Sequence, residues 1–242
     1  MKTNNNVLIK ILIFLMFFNS TSWGASLSIT PMHLELSAQE KIAVLKLTNV
    51  SDEPIVLQME AKEWQQNNEE NVYTSTKDII VAPPMTKIGP QERQIIRLSA
   101  RNNNVSNQEA AYRLFLNEIA QSPTISKPGI QTILSMSLPL FIKPKEPVTL
   151  HPIWSVSRVG KHELKINLLN KSNVHLKVTK IKIQAKNESK PIVEKDVLDY
   201  ILPSKNKGWT FALPASFKNN EIKVSVDTDQ GELSEVLQLS SF

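Results

Sequence analysis

Between Gly129 and Pro144 the chain reads GIQTILSMSLPLFIKP, and this stretch constrains the fold more than any other. Its even positions are Ile130, Thr132, Leu134, Met136, Leu138, Leu140 and Ile142; its odd positions as far as Ser137 are Gln131, Ile133, Ser135 and Ser137. A period of two makes a strand with one apolar and one mostly polar face. Strands commonly run about five or six residues, and no proline interrupts this one before Pro139. Two readings follow. Either this is a core strand of a β-sandwich that buries its even face in its own domain, or it is an edge strand that offers that face to another polypeptide and pairs with it backbone to backbone.

The rest of the chain is patterned the same way. Ile42, Val44, Leu45 and Leu47 lead into the turn cluster Asn49 to Pro54, and Ile55 to Met59 open another strand. Asn67 to Asn71 (NNEEN) reads as a hairpin tip, and Pro83-Pro84 with Gly89-Pro90 bracket a short extended piece, since proline is barred from central strand positions. Tyr112 to Ile119 (YRLFLNEI) is a strand ahead of the long one. Beyond Pro144 the pattern resumes: Leu164, Ile166 and Leu168 alternate into the turn Asn170 to Asn173, and Leu176, Val178, Ile181 and Ile183 leave it. Short strands with regular turn signals and no helical period predict an antiparallel sandwich. The expected fold is all-β, with two consecutive sandwiches over 25–144 and 145–242.

At 242 residues the chain is long enough for two ordinary domains. It has no cysteine, so disulfides, thiol chemistry and cysteine-held metals are excluded. Residues 1–24 read as a targeting segment. Lys2 and Lys10 are its basic region, Ile11 to Phe18 its apolar run, and Ser22 and Gly24 the small residues before a cut ahead of Ala25. The apolar run is too short to span a bilayer and no later run approaches that length, so an exported protein without membrane insertion is expected. Loss of Lys2 and Lys10 leaves 26 basic against 23 acidic residues, too mild an excess for nucleic-acid binding. The four histidines, His33, His151, His162 and His175, form no HExxH or other metal-ligand spacing, and no G-x-S-x-G elbow is present. His151, His162 and His175 are expected on turns or strand faces, Lys177, Lys180, Lys182 and Lys186 on solvated strand faces. Neither an enzyme nor a metal site is indicated.

Several stretches, taken in order, resemble one family. They are Leu45-Lys46-Leu47-Thr48-Asn49 with Asp52-Glu53-Pro54, Glu63-Trp64-Gln65, Pro83-Pro84 with Ile88-Gly89-Pro90, and Gln94-Ile95-Ile96-Arg97. Tyr112-Arg113-Leu114 with Asn117-Glu118-Ile119, and Leu138 to Pro144, follow. Leu168 with Asn170, Trp209, and Asp227-Thr228-Asp229 with Gly231 complete the set. Together they resemble the periplasmic chaperones of the chaperone–usher pilus pathway, the PapD-like family, and look most like its archaic branch.

The resemblance implies two immunoglobulin-like sandwiches set at an angle around a cleft. It also implies a periplasmic location, pilin subunits and an outer-membrane usher as partners, self-association of the free chain as a further option, and no cofactor or nucleotide. On it, the long strand is the donor strand that fills the gap left by the pilin's missing strand, through Ile130, Thr132, Leu134 and Met136. Ile133 interrupts the polar face and is expected in the chain's own core. Burying Ile130, Leu134 and Met136 at about 1.5–3 kcal/mol each gives roughly 5–9 kcal/mol before ordering costs.

Family members hold the subunit's terminal carboxylate with an arginine in the first strand and a lysine late in the donor strand, but the matching positions here are Pro31 and Pro139. A partly buried carboxylate needs cationic donors. Arg113 and Lys143 are the candidates, with Lys145 and Arg97 in reserve; the bland alternative is that Arg113 is an ordinary surface arginine. The competing function is an exported adhesion or ligand-binding module of two immunoglobulin-like domains, which needs no donor strand.

Overall fold

The computed structural model describes residues 27–101, 106–120, 133–160, 162–185, 188, 190–215, 217 and 219–239. The expected targeting segment, Ile130 and Thr132 lie outside the described residues. The first half carries β1 (Leu27–Thr30), β2 (Leu34–Leu36), β3 (Ile42–Asn49), β4 (Ile55–Asn67), β5 (Glu70–Ser75), β6 (Ile79–Ala82), β7 (Met85–Ile88), β8 (Arg93–Ala100), β9 (Ala110–Glu118) and β10 (Ser135–Ile142). The second carries β11 (Pro152–Gly160), β12 (Glu163–Asn170), β13 (Leu176–Ala185), β14 (Val193–Ile201), β15 (Asn206–Ala212), β16 (Glu221–Thr228) and β17 (Gly231–Gln238). There is no helix among the described residues, so the all-β expectation holds.

Strands β1-β3-β8-β6 form one sheet, and β2-β10-β9-β4-β5, with β7 also on β4, form the sheet facing it. Alternation decides what goes inside. Along β3 the burial runs exposed–buried in step, placing Ala43, Leu45 and Leu47 in the core. They meet Leu57, Leu114, Leu116, Leu138 and Leu140 from the opposing sheet. The second sandwich packs β11-β12-β15 against β14-β13-β16-β17 around Leu164, Ile166, Leu168, Ile181, Ile183, Val224, Trp209 and Phe211. On β13 the inward set changes parity between Val178 and Ile181, and a bulge between Val178 and Lys180 accommodates the change.

Both sandwiches close a strand on the same side-chain clamp. Asn49, fully buried, donates to the carbonyls of Glu53, Ile88 and Gly89 and accepts from the Ser51 backbone N–H at 3.0 Å. Asn170, also fully buried, donates to the carbonyls of Val174 and Ile201 and accepts from the Ser172 N–H at 2.9 Å. Asparagine can do this because one amide carries two donors and an acceptor.

A small separate core joins the two sandwiches: Trp64, Ala111 and Phe141 from the first, Leu202 and half-buried Tyr200 from the second. Gln66 at the end of β4 seals it. Its amide donates to the Tyr200 carbonyl at 2.7 Å and accepts the Leu202 N–H at 3.0 Å. Glu69, in the β4–β5 turn, accepts from the Gly208 N–H at 3.1 Å.

Candidate functional site

The site begins with an incomplete strand pairing. β9 runs antiparallel to β10 over its full described length, from Ser135 opposite Asn117 to Ile142 opposite Ala110. On the other side β2 pairs, in parallel, only with Leu140, Phe141 and Ile142. The chain reaches that position by changing sheets at Pro31, since β1 belongs with β3. From Ser135 to Pro139 the outer edge of β10 therefore has no strand beside it among the described residues. A bare edge presents a row of unpaired backbone donors and acceptors, a template for another chain.

The even positions of β10 divide along its length. Leu138 and Leu140 are 1% and 0% exposed in the first core, Met136 packs partly against that core, and Leu134 is half-buried ahead of the strand. Leu134 is held in register by its carbonyl, which accepts from the Glu118 N–H at 2.8 Å, and by its own N–H, which donates to Glu118 Oε2 at 3.0 Å. Ile133 does not enter the core as expected: it is 50% exposed. It has the parity of Ser135 and Ser137, whose face turns away from the core that Leu138 and Leu140 fill. The second sandwich covers that face only further along, at Phe141.

Arg113 lies on this outward face, opposite Pro139 on β10 and Lys62 on β4. Its guanidinium carbon sits 4.1 Å from the Trp64 ring centroid and 5.3 Å from that of Tyr200, so one ring from each sandwich flanks it. Stacking of this kind is attractive, but Arg113 Nε is buried without a hydrogen-bond partner, and no acid pairs with the side chain among the described residues. Lys143 is placed differently. Its ammonium is paired with Glu35 Oε2, and His33 Nε2 meets the other oxygen at 3.0 Å. Burial pushes the Glu35 carboxyl up, and the bonds from Lys143 and His33 outweigh it and hold the carboxyl below its ordinary value. Lys145 is exposed two residues on, and Arg97 is exposed on β8 in the opposing sheet, so neither joins Arg113.

The sequence did not single out one titratable group buried in the seam. His175 is 3% exposed and stacks flat on Phe141, centroids 3.8 Å apart and planes 8° apart. Nδ1 lies 2.7 Å from Glu109 Oε1 of the first sandwich, and Nε2 is 3.1 Å from Asp229 Oδ2, a contact with ion-pair distance but not the alignment of a hydrogen bond. Burial pushes the imidazole down, yet Asp229 and Glu109 more than reverse it and raise its pKa to about 9. An imidazolium thus bolts the two halves together. The pattern offered one weak sign, the Asp227-Thr228-Asp229 motif.

The described residues thus bring together two β-sandwiches, a bare strand edge and, on the strand beside it, an arginine with no acid partner among them. The chain belongs to the pili and flagellar-assembly chaperones, whose PapD N-terminal domain model matches residues 26–147. No curated protein sequence matches it. Among solved structures it is similar to the chaperone of the CsuC–CsuE chaperone–tip adhesion subunit pre-assembly complex from archaic Csu pili of Acinetobacter baumannii. The two share 20% identity over 90% of this chain and 100% of that one, with a TM-score of 0.65. The structure of Salmonella enterica SafA pilin with the SafB chaperone matches at 17% identity over 90% and 99%, TM-score 0.60. The E. coli chaperone DraB matches at 17% over 88% and 98%, TM-score 0.56. This is a chaperone family and not an enzyme family, and nothing in these likenesses favours an adhesion module.

Proposed function

We propose that this chain is a non-enzymatic periplasmic chaperone that holds pilin subunits on the free edge of β10 and passes them to an outer-membrane usher. The observation that carries the reading is the bare edge from Ser135 to Pro139, flanked by Arg113. Strand addition is how chaperone–pilin pairs are known to join: backbone hydrogen bonds give affinity and alternate side chains fill grooves. Ile130, Thr132, Leu134 and Met136 are the donated side chains. Met136 already packs partly on the first core, so its further burial adds little and the apolar gain falls toward the lower end of roughly 5–9 kcal/mol. Arg113 grips the subunit's terminal carboxylate with its planar fork, and Lys143 contributes once it turns from Glu35. A free carboxylate would supply the guanidinium with the counter-charge that no acid among the described residues provides.

Co-expression with the cognate pilin should yield a one-to-one soluble complex without nucleotide; equal pilin solubility with and without the chain overturns the reading. Arg113→Ala should lose capture while keeping native circular dichroism. Full capture by both Arg113→Ala and Lys143→Ala places the anchor elsewhere. Sedimentation of the free protein reports whether a second copy covers the edge.

A further inference from the structure

Tyr200 of β14 stands where the two sandwiches meet, and three cationic side chains surround its ring. His175 has its centroid 5.6 Å away, the Arg113 guanidinium carbon is at 5.3 Å and the Lys177 ammonium at 5.7 Å. They differ in how they are neutralised. His175 holds both Glu109 and Asp229, so the nearby carboxylates are already engaged. Asp229 meets Lys177 through the backbone: its carboxylate accepts the Lys177 N–H at 2.9 Å and its own N–H donates to the Lys177 carbonyl at 3.2 Å. No salt bridge among the described residues holds the Lys177 ammonium or the Arg113 guanidinium. The two have therefore been brought to one ring, from opposite halves of the protein, without an anion between them. Lys143, by contrast, is occupied by Glu35.

Positive charges on either side of a cleft repel one another and persist when something else supplies the counter-charge. Half-buried Lys177 lies on β13 directly opposite Tyr200. Its position is thus fixed by the same strand pair that carries the ring flanking Arg113. Resting on the reading of Arg113 as the grip, we infer that Lys177 is a further cation of the carboxylate site, so that the subunit's C-terminus is held by charges from both domains. The second sandwich then has a direct part in binding. A guanidinium from β9 supplies a fixed fork, and an ammonium from β13 supplies a mobile point charge that closes on the same carboxylate. Register is set where the two meet, because a chain end displaced by one residue reaches one of them and not both.

The test uses the full mature chain and a synthetic peptide copying the terminal strand of its cognate pilin, prepared with a free carboxylate and as the carboxamide. Wild-type protein should prefer the acid by about 100-fold, each charged hydrogen bond accounting for roughly tenfold or more. Lys177→Met keeps the apolar stem against Tyr200 and removes the charge; its preference should fall by about tenfold, and Lys177→Arg should restore most of it. Arg113→Ala should lower the preference by at least as much, to about tenfold or less. If Arg113→Ala retains the wild-type preference, or the wild type shows none, the grip itself is misassigned. If Arg113→Ala lowers it while Lys177→Met matches wild type, the grip stands and the contribution of the second domain is overturned, most plainly if Lys143→Met then shows the loss. Native circular dichroism and unchanged binding of the carboxamide by Lys177→Met exclude a folding defect as the cause.

Discussion

Replacing His175 with glutamine probes the seam, because it removes the charge between Glu109 and Asp229 while keeping a polar side chain. The His175 and Glu109 side chains are 4% and 5% exposed, so the variant leaves a buried carboxylate uncompensated. Breaking a buried pair from one side costs about 3–5 kcal/mol; Asp229, 27% exposed, is partly screened and adds less. A second route gives a similar figure. The imidazole pKa is about 9 in the folded protein against about 6.5 in an unfolded chain, and each unit is worth about 1.36 kcal/mol, hence on the order of 3 kcal/mol. The folded value lies above the unfolded one, so this stabilisation is complete below about pH 6.5 and is lost as pH rises through about 9. On the acid side Asp229 is pushed up by burial but held below its ordinary value by His175 and the Lys177 N–H. Its share is therefore present above its ordinary pKa and is lost as pH falls through the lower folded value. Urea melts from pH 5 to pH 10 should show wild-type stability falling between about pH 6.5 and pH 10, while His175→Gln stays nearly flat there and lies about 3 kcal/mol lower at neutral pH. Parallel pH profiles for the two proteins would refute the bolt.

Three further outcomes can be checked with the same preparations. Leu134→Asp should cut pilin capture by more than about 100-fold, because an unpaired charge in an apolar groove costs several kcal/mol, whereas Ser135→Asp, whose hydroxyl faces Asn117 on the outward side, should be milder; the reverse order in a pull-down would invalidate the strand register. Gln66→Ala strands the Tyr200 carbonyl and the Leu202 N–H and should cost about 2–4 kcal/mol in urea unfolding, with a loss below 0.5 kcal/mol contradicting the seal. Asn170→Ala orphans two buried carbonyls and the Ser172 N–H; it should destabilise the second sandwich by about 3 kcal/mol or more, read as a lower denaturant midpoint for Trp209 and Trp154 fluorescence.

Much of the architecture could be read directly because it follows from a period of two. The inward residues of β12 and β13 were visible as Leu164, Ile166, Leu168, Leu176 and Val178, whereas the bulge that shifts the inward parity before Ile181 was not read from the pattern. The long strand was less transparent. The same alternation serves a side chain buried at home, such as Leu138, and one left half-open, such as Leu134, because what separates them is how far β2 and the opposing sheet extend. Ile133 misled for a related reason: hydrophobicity suggests burial, but its face was decided by parity. His175 carried no local signal at all. Its partners lie 66 and 54 residues away, at Glu109 and Asp229, and a polar turn before a strand ordinarily places a histidine in solvent. Arg113 was visible as a cation on the neighbouring strand, whereas its flanking by Trp64 and Tyr200 depends on a contact between domains.

β10 is clamped at one end on both of its faces. Leu138 and Leu140 are sunk in the first core, Phe141 is fully buried in the seam, and the Lys143 N–H ties the exit to the Leu36 carbonyl at 2.8 Å. Mechanically the described strand is a cantilever, rooted near Phe141 and unsupported along one side toward Ser135. A load along its axis is met by the whole β9–β10 ladder in shear, which is the stiff direction. A load across the open side strains one backbone bond at a time, beginning at the unsupported tip. A strand laid along that side can therefore be peeled away from the tip inward without loosening the root, and the domain that held it is left intact to hold another.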